Sequence, residues 1–342
     1  MLLFRVCLSR TLVALLTVTF ALVWIPCSQA RSTIYDQLLR STGWVVVKHG
    51  KKKFSSGTCW VLDDRRCLAV TNQHVVGTQK KVKVFFPRYR KAKVIRLSRS
   101  YVQKKHSIPG KVLATDGKRD LALIRLKRLP PGIGALALAT DRPAQDEPLY
   151  SVGNSSVKSN VQTGKLWRFV ESKVKQLVFG KFEQQNKLTV EACVLKTLSR
   201  FGHGDSGGPL VNARNQLVAV VDAISTKNRR IGFSIDVSEV REFVEHALPD
   251  HPSLPGARVL VGGSWKAVFG EKGKEAMFRV TFRADGTLEM IGVKLLPGRY
   301  TYVNGILGLQ VSSANLRGSL TWDADDRFTL TLGKDKMRFH RR

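Results

Sequence analysis

The sequence predicts an all-β protein with more than one domain. Short β-rich runs recur along residues 41–235, turn residues separate them, and helical periodicity is confined to two segments. Short strands at this spacing are typical of a sandwich or a barrel rather than of a parallel α/β sheet. The length of 342 residues fits two domains, and the 43% hydrophobic content excludes a disordered or fibrous chain.

The first 30 residues have the composition of an export signal. Two arginines precede an uncharged stretch, residues 11–30, whose apolar part from Leu12 to Ile25 is as long as a signal-peptide core and short for a membrane span. Ser28 and Ala30 supply the small residues that signal peptidase requires. We therefore expect residues 1–30 to be a signal peptide and the mature chain to be periplasmic, secreted or associated with the cell envelope. An uncleaved membrane anchor is the alternative.

The first domain is predicted from its strands and two helices. Four β-rich runs bounded by turn residues predict strands at 43–48, 81–86, 121–126 and 216–221. Helical periodicity appears at residues 34–39 and 238–248, and Ser238 is the expected N-cap of the second helix. The Pro-rich segment that follows, His251 to Gly256, marks a domain boundary. We predict a domain over residues 31–250, a linker over 251–257 and an accessory domain over 258–342.

The accessory domain is predicted to be a small antiparallel β-barrel. Eight short strands are expected at 259–269, 276–282, 287–293, 300–303, 307–311, 319–322, 328–332 and 337–340. Gly263-Ser264-Trp265 on the first strand, with Arg338 and Arg341 on the last, resembles a lipocalin-like pattern. That resemblance implies that the Trp closes one end of the barrel and that an Arg stacks against it. An accessory β domain with one core Trp is the alternative.

The cysteines leave two structures open. Cys59 and Cys67 flank an expected hairpin turn at Asp63 and Asp64, so they form either a disulfide or two buried thiols in adjacent strands. Cys193 has no obvious partner and is expected to be a buried core thiol. The sequence contains no C-x-x-C pair and no H-E-x-x-H motif, so no metal site is predicted.

Three segments far apart in the sequence carry the residue types of nucleophilic hydrolysis. A strand runs directly into His74, and Asp120 stands at the head of another strand. Ser206 lies in the glycine-rich stretch 202–210. A serine attacks when a base takes its proton, and that base must be held in one tautomer by a carboxylate. Glycines let the N–H groups of such a loop turn toward a developing oxyanion.

The order of these segments resembles the trypsin-like serine peptidases. Thr71-Asn-Gln-His-Val-Val76 and Asp120-Leu-Ala-Leu-Ile124 are most similar to the HtrA/DegP-like branch, and Gly204-Asp-Ser-Gly-Gly-Pro-Leu210 is similar to the family as a whole. The resemblance covers residues 34–248 and implies a chymotrypsin-like double β-barrel with its active site between the barrels. HtrA-like peptidases usually carry a PDZ module, which residues 257–342 do not resemble.

The resemblance also implies a role for each residue. His74 would be the general base, Asp120 the carboxylate that orients it, and Ser206 the nucleophile of a serine endopeptidase. The N–H groups of Gly204 and Ser206 would form the oxyanion hole. The implied substrates are proteins and peptides, and no cofactor or metal is required.

Two acidic residues depart from the HtrA-like pattern. Asp205 stands where that branch usually has Asn, and it matches the digestive peptidases, in which a newly cut N-terminus pairs with it. No Ile-Val-Gly-Gly-like start follows Ala30, so we expect Asp205 to pair with a local cation such as Arg200 or to hydrogen-bond within its own loop. Asp222 aligns with a position beside Asp120, where two nearby carboxylates would raise one pKa.

The specificity pocket is only partly predictable. Its walls are expected from residues 200–203 and 222–226. Arg200 stands six positions before Ser206, where a preference for Lys or Arg would require an acidic residue. In the pocket floor Arg200 would favour acidic side chains. If the Arg200 side chain points to Asp205 or to solvent instead, the pocket would be small or apolar.

The net charge of +31 suggests anionic partners. Residues 80–128 hold 17 of the 57 Lys and Arg residues, against only Asp116 and Asp120. Such a stretch is either the solvated outer face of a half-buried sheet or a surface for an anionic polymer or membrane. No base-reading motif is present, so sequence-specific nucleic acid binding is not expected. The alternative function is therefore a polyanion- or ligand-binding protein on a peptidase fold that no longer cuts.

Overall fold

The computed structural model confirms the all-β class. It describes residues 27–49, 53–102, 104–155, 164–183, 188–248, 260, 264–270, 275–283, 287–303, 306–324 and 326–342. Two closed six-stranded barrels are followed by a closed eight-stranded barrel.

The first barrel is built from the N-terminal half of the chain. Its elements in chain order are α1 (Cys27–Leu39), β1 (Thr42–His49), β2 (Lys53–Asp63), β3 (Leu68–Thr71), α2 (Gln73–Val76), β4 (Lys81–Phe85), β5 (Tyr89–Arg90), β6 (Lys93–Val94), two 3₁₀ turns (Ser98–Ser100 and Lys104–His106), β7 (Ile108–Asp116) and β8 (Leu121–Leu126). The barrel closes in the order β1-β2-β3-β8-β7-β4, and β5 and β6 form a separate ribbon. In β1, Val45 and Val47 face the barrel interior, whereas Trp44 and Val46 pack into the larger core outside it. Burial on both faces explains why this strand is apolar almost throughout.

The second barrel carries the glycine-rich segment. Its elements are β9 (Pro148–Gly153), β10 (Arg168–Glu183), β11 (Thr189–Leu198), β12 (Pro209–Val211), β13 (Leu217–Ile224), β14 (Ile231–Asp236) and α3 (Val237–Ala247). The barrel closes in the order β10-β11-β14-β13-β12-β9. The predicted N-cap of α3 is wrong by two residues, because Asp236 occupies that position and accepts a hydrogen bond from Ser238 N. Asp is as good a cap as Ser, and the apolar pattern alone does not choose between them.

The eight strands predicted for the third barrel are all present. They are β15 (Ser264–Phe269), β16 (Ala276–Phe282), β17 (Thr287–Ile291), β18 (Leu295–Val303), β19 (Ile306–Val311), β20 (Ala314–Ala324), β21 (Arg327–Leu332) and β22 (Asp335–Arg341). Consecutive strands pair, and β22 returns to β15 to close the barrel. Trp265 is fully buried, and the guanidinium carbon of Arg341 lies 5.7 Å from the centre of its ring. The predicted Trp–Arg contact is therefore present, while Gly263 and the linker 251–257 lie outside the described residues.

Cys59, Cys67 and Cys193 are free thiols, so the disulfide interpretation is wrong, and the alternative of two buried thiols fails for Cys67, which is only half-buried. Trp60 pairs with Val70 and Asp63 with Leu68, which puts Cys67 in the hairpin turn and Cys59 beyond Trp60, away from that turn. A hairpin disulfide needs the two residues nearly opposite each other. Cys193 is buried, as expected.

The predicted export signal falls almost entirely outside the described residues. Cys27 to Ala30 are described, as the start of α1. Among the described residues, no helix combines the length and the apolar character needed to cross a bilayer. The signal peptide therefore stays a prediction.

Candidate active site

The three residues singled out in the sequence are brought together between the first two barrels. His74 lies in the short helix α2 directly after β3, and Asp120 lies in the turn directly before β8. Because β3 and β8 are hydrogen-bonded neighbours, the end of one strand meets the start of the other. His74 Nδ1 lies 2.5 Å from Asp120 Oδ2. Ser206 and His74 line the same cavity.

Asp120 is held by its backbone as well as by its carboxylate. Its carbonyl oxygen accepts hydrogen bonds from Asn72 Nδ2 at 2.9 Å and from Gln73 N at 3.1 Å. Its Oδ1 accepts from His74 N at 2.8 Å. Asp120 adopts a φ of 50°, in the left-handed region that non-glycine residues rarely occupy. The surrounding contacts therefore fix an uncommon backbone conformation at this residue.

Asp222 lies beside the His–Asp pair, as its alignment suggested. Asp222 Oδ1 is 3.8 Å from His74 Nδ1, and the Asp222 side chain is almost fully buried. Burial raises the pKa of Asp120, but its hydrogen bond and charge interaction with His74, together with a hydrogen bond from Asp222, outweigh burial and lower that pKa below its ordinary value. Two carboxyl groups hydrogen-bond to each other only when one of them carries a proton.

The loop around Ser206 is fixed from the first barrel. Thr58 N donates to Ser206 O at 2.8 Å, and Thr58 Oγ1 donates to Gly204 O at 2.8 Å. Gly207 has a φ of 82°, and a Cβ there would lie 2.1 Å from Thr58 O and 2.2 Å from Thr71 Oγ1. A side chain at this position is therefore excluded both by conformation and by space.

The backbone N–H groups of Gly204 and Ser206 make no hydrogen bond within the described part of the chain. Gly204 has a φ of 101°, which glycine alone adopts readily. Ser206 Oγ donates a hydrogen bond of 3.0 Å to Asp222 O. The two amide donors are therefore without a hydrogen-bond partner in the described part of the chain, while the hydroxyl of Ser206 is turned toward Asp222.

Asp205 pairs with a cation and hydrogen-bonds within its own loop, as expected, but the cation is Arg168 and not Arg200. Asp205 is fully buried and its Oδ2 accepts from Arg168 Nη2 at 2.6 Å. It also accepts from Gly202 N at 2.9 Å and from Ser155 N at 3.0 Å. Arg200 contributes only its carbonyl oxygen, which accepts from Arg168. No sequence motif surrounds Arg168. The only signal in the sequence was that a buried Asp205 carboxylate needs a cation nearby, and this does not identify which one.

A cavity of about 560 Å³ opens beside Ser206. The segments 201–203 and 222–226 line it, as the sequence suggested, together with aromatic rings from Phe182 and Phe233. Arg200 is exposed and lies outside this cavity. The cavity next to the serine therefore has apolar side chains together with charged ones from Lys181, Glu183 and Lys227.

The buried thiols of Cys59 and Cys193 do not compete for the role of nucleophile. Burial raises the pKa of Cys59 and of Cys193 to about 12, so both thiols are protonated and unreactive at neutral pH. One group of described residues has metal-ligand atoms clustered within 4.8 Å of one another, namely His74, Asp120 and Asp222. These are the same atoms that form the hydrogen-bonded cluster beside Ser206.

Comparisons with known proteins agree with a peptidase fold. Residues 57–220 match the model of the trypsin-like peptidase domain. The "Serine protease HtrA-like" of Staphylococcus aureus strain bovine RF122 / ET3-1 is 26% identical over 219 residues, 62% of this chain and 26% of that protein. The same values hold for the protein of that name from strain USA300. The chain thus spans about a quarter of the length of these curated relatives.

Solved structures show the same fold. The active form of the Rv3671c protease from M. tuberculosis superposes with a TM-score of 0.52 at 18% identity, covering 67% of this chain and 89% of that chain. An inactive form of the same protease gives a TM-score of 0.50 at 16% identity, covering 67% and 96%. Together with the match over residues 57–220, these findings identify a trypsin-like peptidase domain in this chain, similar to those of HtrA-like serine proteases.

Proposed function

We propose that this chain is a serine endopeptidase that hydrolyses peptide bonds of proteins through an acyl-enzyme. The observation that carries the proposal is the 2.5 Å contact between His74 Nδ1 and Asp120 Oδ2, in the cavity that Ser206 shares. A carboxylate on Nδ1 fixes the tautomer in which Nε2 is free to take a proton. This is the arrangement that activates a serine hydroxyl.

In the proposed mechanism, substrate binding turns Ser206 Oγ from Asp222 O toward His74. Oγ then attacks the carbonyl carbon of the scissile bond while His74 Nε2 takes the hydroxyl proton. The negative charge on the carbonyl oxygen is met by the N–H groups of Gly204 and Ser206. His74 returns the proton to the leaving amine, and a water molecule repeats the attack on the acyl-enzyme. Asp120 stabilises the imidazolium that forms in each step.

The cavity supports a preference for apolar side chains before the scissile bond. Phe201, Phe233 and Val221 are among its lining residues, and the exposed Arg200 does not line it. Arg200 is therefore not available to pair with an acidic side chain in this cavity. We propose a small to medium-sized apolar side chain at this position.

The proposal also includes the export of the chain and its domain organisation. We propose that residues 1–30 direct export and are removed, so that residues 31–250 act outside the cytoplasm as the peptidase domain. Residues 258–342 form the accessory barrel, which residues 251–257 connect to it.

The test of the peptidase proposal is casein cleavage by the purified chain, beside Ser206→Ala. Loss of the nucleophile in this class typically reduces turnover by on the order of 10⁶. Cleavage that disappears in the variant supports the proposal. Equal cleavage by both proteins would assign it to a contaminant and contradict the proposal.

A second candidate function, binding of an anionic polymer, is favoured by one row of cations on the first barrel. Lys81 of β4 pairs directly with Lys111 of β7, which pairs directly with Arg125 of β8. All three side chains are exposed, and none makes an ion pair within the described residues. Like charges directly opposite each other destabilise a sheet, and a bound polyanion would remove that repulsion. Lys83 and Lys127 extend the row on either side of Pro109.

Heparin affinity at several salt concentrations tests this second function. The triple variant Lys81→Gln, Lys111→Gln, Arg125→Gln should reduce the slope of log affinity against log salt by about 2. The matched control, Arg299→Gln, Arg317→Gln, Lys334→Gln, removes the same charge from exposed positions on the third barrel. An equal loss in both variants would mean that only net charge matters and would contradict a defined binding face.

A further inference from the structure

The third barrel meets the peptidase domain through a buried cluster of charges. This interdomain cluster consists of Asp116, Arg119, Glu239, Glu242, Arg279 and Arg342. Glu239 and Glu242 lie on α3, and Asp116 and Arg119 lie at the turn between β7 and β8. Arg279 of β16 and Arg342, which follows β22, come from the third barrel. The cluster therefore joins three separate parts of the molecule.

Glu239 is the centre of the cluster, with a fully buried side chain. Its Oε1 accepts hydrogen bonds from Arg342 Nη1 at 2.8 Å, Arg279 Nη1 at 3.3 Å and Cys193 N at 2.6 Å. Its Oε2 accepts from Arg119 Nε at 2.9 Å. Two arginines from the third barrel and one from the peptidase domain thus share a single carboxylate.

Each nitrogen of the Arg119 guanidinium donates a hydrogen bond to a carboxylate. Its Nη2 donates to Glu242 Oε2 at 2.5 Å and its Nη1 to Asp116 Oδ2 at 2.7 Å, in addition to the bond to Glu239. Glu242 also accepts a hydrogen bond from Arg279 Nη2. The guanidinium of Arg119 therefore binds three carboxylates, two of which are themselves bound by the third barrel.

The charges of the cluster balance only when the third barrel is in place. The peptidase domain supplies three carboxylates (Asp116, Glu239, Glu242) and one cation, Arg119. Arg279 and Arg342 bring the count to three of each. An unpaired buried carboxylate is costly, so without these arginines the carboxylates would compete for Arg119 or move toward water.

Arg119 immediately precedes Asp120, the proposed orienting carboxylate. Asp120 has the uncommon φ of 50°, so its conformation depends on the contacts that surround the turn. The turn is also fixed by a hydrogen bond of 2.7 Å from Glu191 N to Lys118 O. A shift of the Arg119 side chain would move the peptide unit that leads into Asp120.

We propose that the third barrel is a positioning element of the active site, in which Arg279 and Arg342 hold Asp120 in place through Glu239, Glu242 and Arg119. The inference rests on the proposed role of Asp120. The arginines touch neither substrate nor reacting atoms, so they are positioning residues.

The protonation state of Glu239 agrees with this role. Burial raises its pKa, but the charges of Arg342, Arg279 and Arg119 outweigh burial and lower the pKa to about 2. Two of those three cations belong to the third barrel. The carboxylate that binds Arg119 is therefore kept charged largely by that barrel.

A second interdomain ion pair provides a matched control. Arg142 Nη1 lies 2.6 Å from Glu289 Oε2, which joins the peptidase domain to β17 of the third barrel. This pair shares no residue with the interdomain cluster. Removing it weakens domain contact without changing the partners of Arg119.

The experiment compares the full chain with Arg279→Met, Arg342→Met and the control Arg142→Met. Met keeps most of the apolar stem of Arg and removes its charge. We measure kcat and KM for a short peptide substrate, and the low-field ¹H NMR resonance of the proton between His74 and Asp120. Displacement of Asp120, the proposed orienting carboxylate, should lower kcat by about 10- to 100-fold with little change in KM. The NMR resonance should weaken or shift in the same two variants.

Each outcome decides the proposal. Reduced kcat and an altered resonance in Arg279→Met or Arg342→Met, with Arg142→Met close to the unsubstituted chain, supports it. Arg342→Met leaves Arg279 in place, so this variant still tests the proposal if Arg279→Met does not fold. Unchanged kcat and resonance in both cluster variants would overturn the proposal, as would an equal loss in Arg142→Met. If the unsubstituted chain does not cleave at all, the proposed function fails, and the resonance alone still tests the link to Asp120.

Discussion

Arg168 Nη2 donates a hydrogen bond of 2.6 Å to Asp205 Oδ2, so the first residue of β10 holds the residue that precedes Ser206. The same guanidinium also donates to Ser155 Oγ at 2.6 Å and to Arg200 O at 2.7 Å. Asp205 in turn accepts from Gly202 N, on the other side of the loop. The pair therefore fixes the conformation of the loop that carries the two proposed oxyanion-hole donors.

Replacing Arg168 should weaken catalysis through this loop. In Arg168→Met the buried Asp205 carboxylate loses its cation and should draw the loop out of place, removing an oxyanion donor. We expect kcat to fall by about 100-fold, the usual effect of losing one such donor. Arg168→Lys restores a charge without the fork of donors and should recover part of that loss. The measurement is kcat on a short peptide substrate.

Arg200→Met is the matched control for this prediction. Arg200 is exposed, and only its carbonyl oxygen bonds to Arg168. Its side chain can therefore be removed without changing the contacts of Asp205. If Arg168→Met and Arg200→Met behaved alike, the Arg168–Asp205 pair would have no special role in the loop.

Asp222 should act as a neutral hydrogen-bond donor to Asp120. Asp222→Asn keeps a donor at this position, so its kcat at neutral pH should stay within about threefold of the unsubstituted chain. Asp222→Leu keeps the branched shape of the side chain but removes the donor, and losing a hydrogen bond to a charged group costs about 1.5–3 kcal/mol. A kcat lower by about 10- to 100-fold is therefore expected for Asp222→Leu. A large loss in Asp222→Asn would show instead that the ionised carboxylate is required.

Phe201 should set the size of the specificity pocket. It lines the cavity beside Ser206, and a Cβ built on Gly232 would lie 2.5 Å from its ring, so the ring is tightly held. Phe201→Ala should favour bulky over small apolar side chains before the scissile bond by about tenfold in the ratio of kcat/KM values. A panel of peptides that differ at this one residue provides the measurement. An unchanged ratio would place the pocket elsewhere.

Acid should weaken the contact between the peptidase domain and the third barrel. The pKa of Glu239 is lowered from 4.5 to about 2 in the folded protein. A lowered folded-state pKa stabilises the fold above the unfolded value, and the stabilisation is lost as the pH falls from about 4.5 toward 2. The free energy of unfolding of the unsubstituted chain should therefore fall more steeply over this range than that of Glu239→Gln. Parallel pH dependences would contradict the assigned state of Glu239.

The sequence was sufficient for those parts of the site that depend on local patterns. Each of the three proposed catalytic residues, His74, Asp120 and Ser206, lies next to a strand that can be recognised in the sequence. Neighbouring strands bring their ends together independently of the conformation of the loops. The eight strands of the third barrel followed from the same kind of pattern, whereas the contact of Arg341 with Trp265 was implied by the resemblance to a lipocalin-like pattern. Local alternation and turn chemistry therefore determine most of this fold.

The parts that were not predictable depend on contacts between distant segments. Arg168 and Asp205 are separated by 37 residues, and any of several arginines satisfies the need for a cation. The interdomain cluster joins Arg119 to residues beyond position 230, which no local pattern indicates. The disulfide interpretation failed for a smaller reason, because strand register decides which hairpin residues face each other.

The most direct test of the account is labelling of the folded chain with a fluorophosphonate, followed by mapping of the modified residue by mass spectrometry. Only a serine activated by a base reacts readily with this reagent. The account predicts one adduct, on Ser206, and its loss in both Ser206→Ala and His74→Ala. A folded chain without an adduct, or with an adduct on another serine, would contradict the proposed active site.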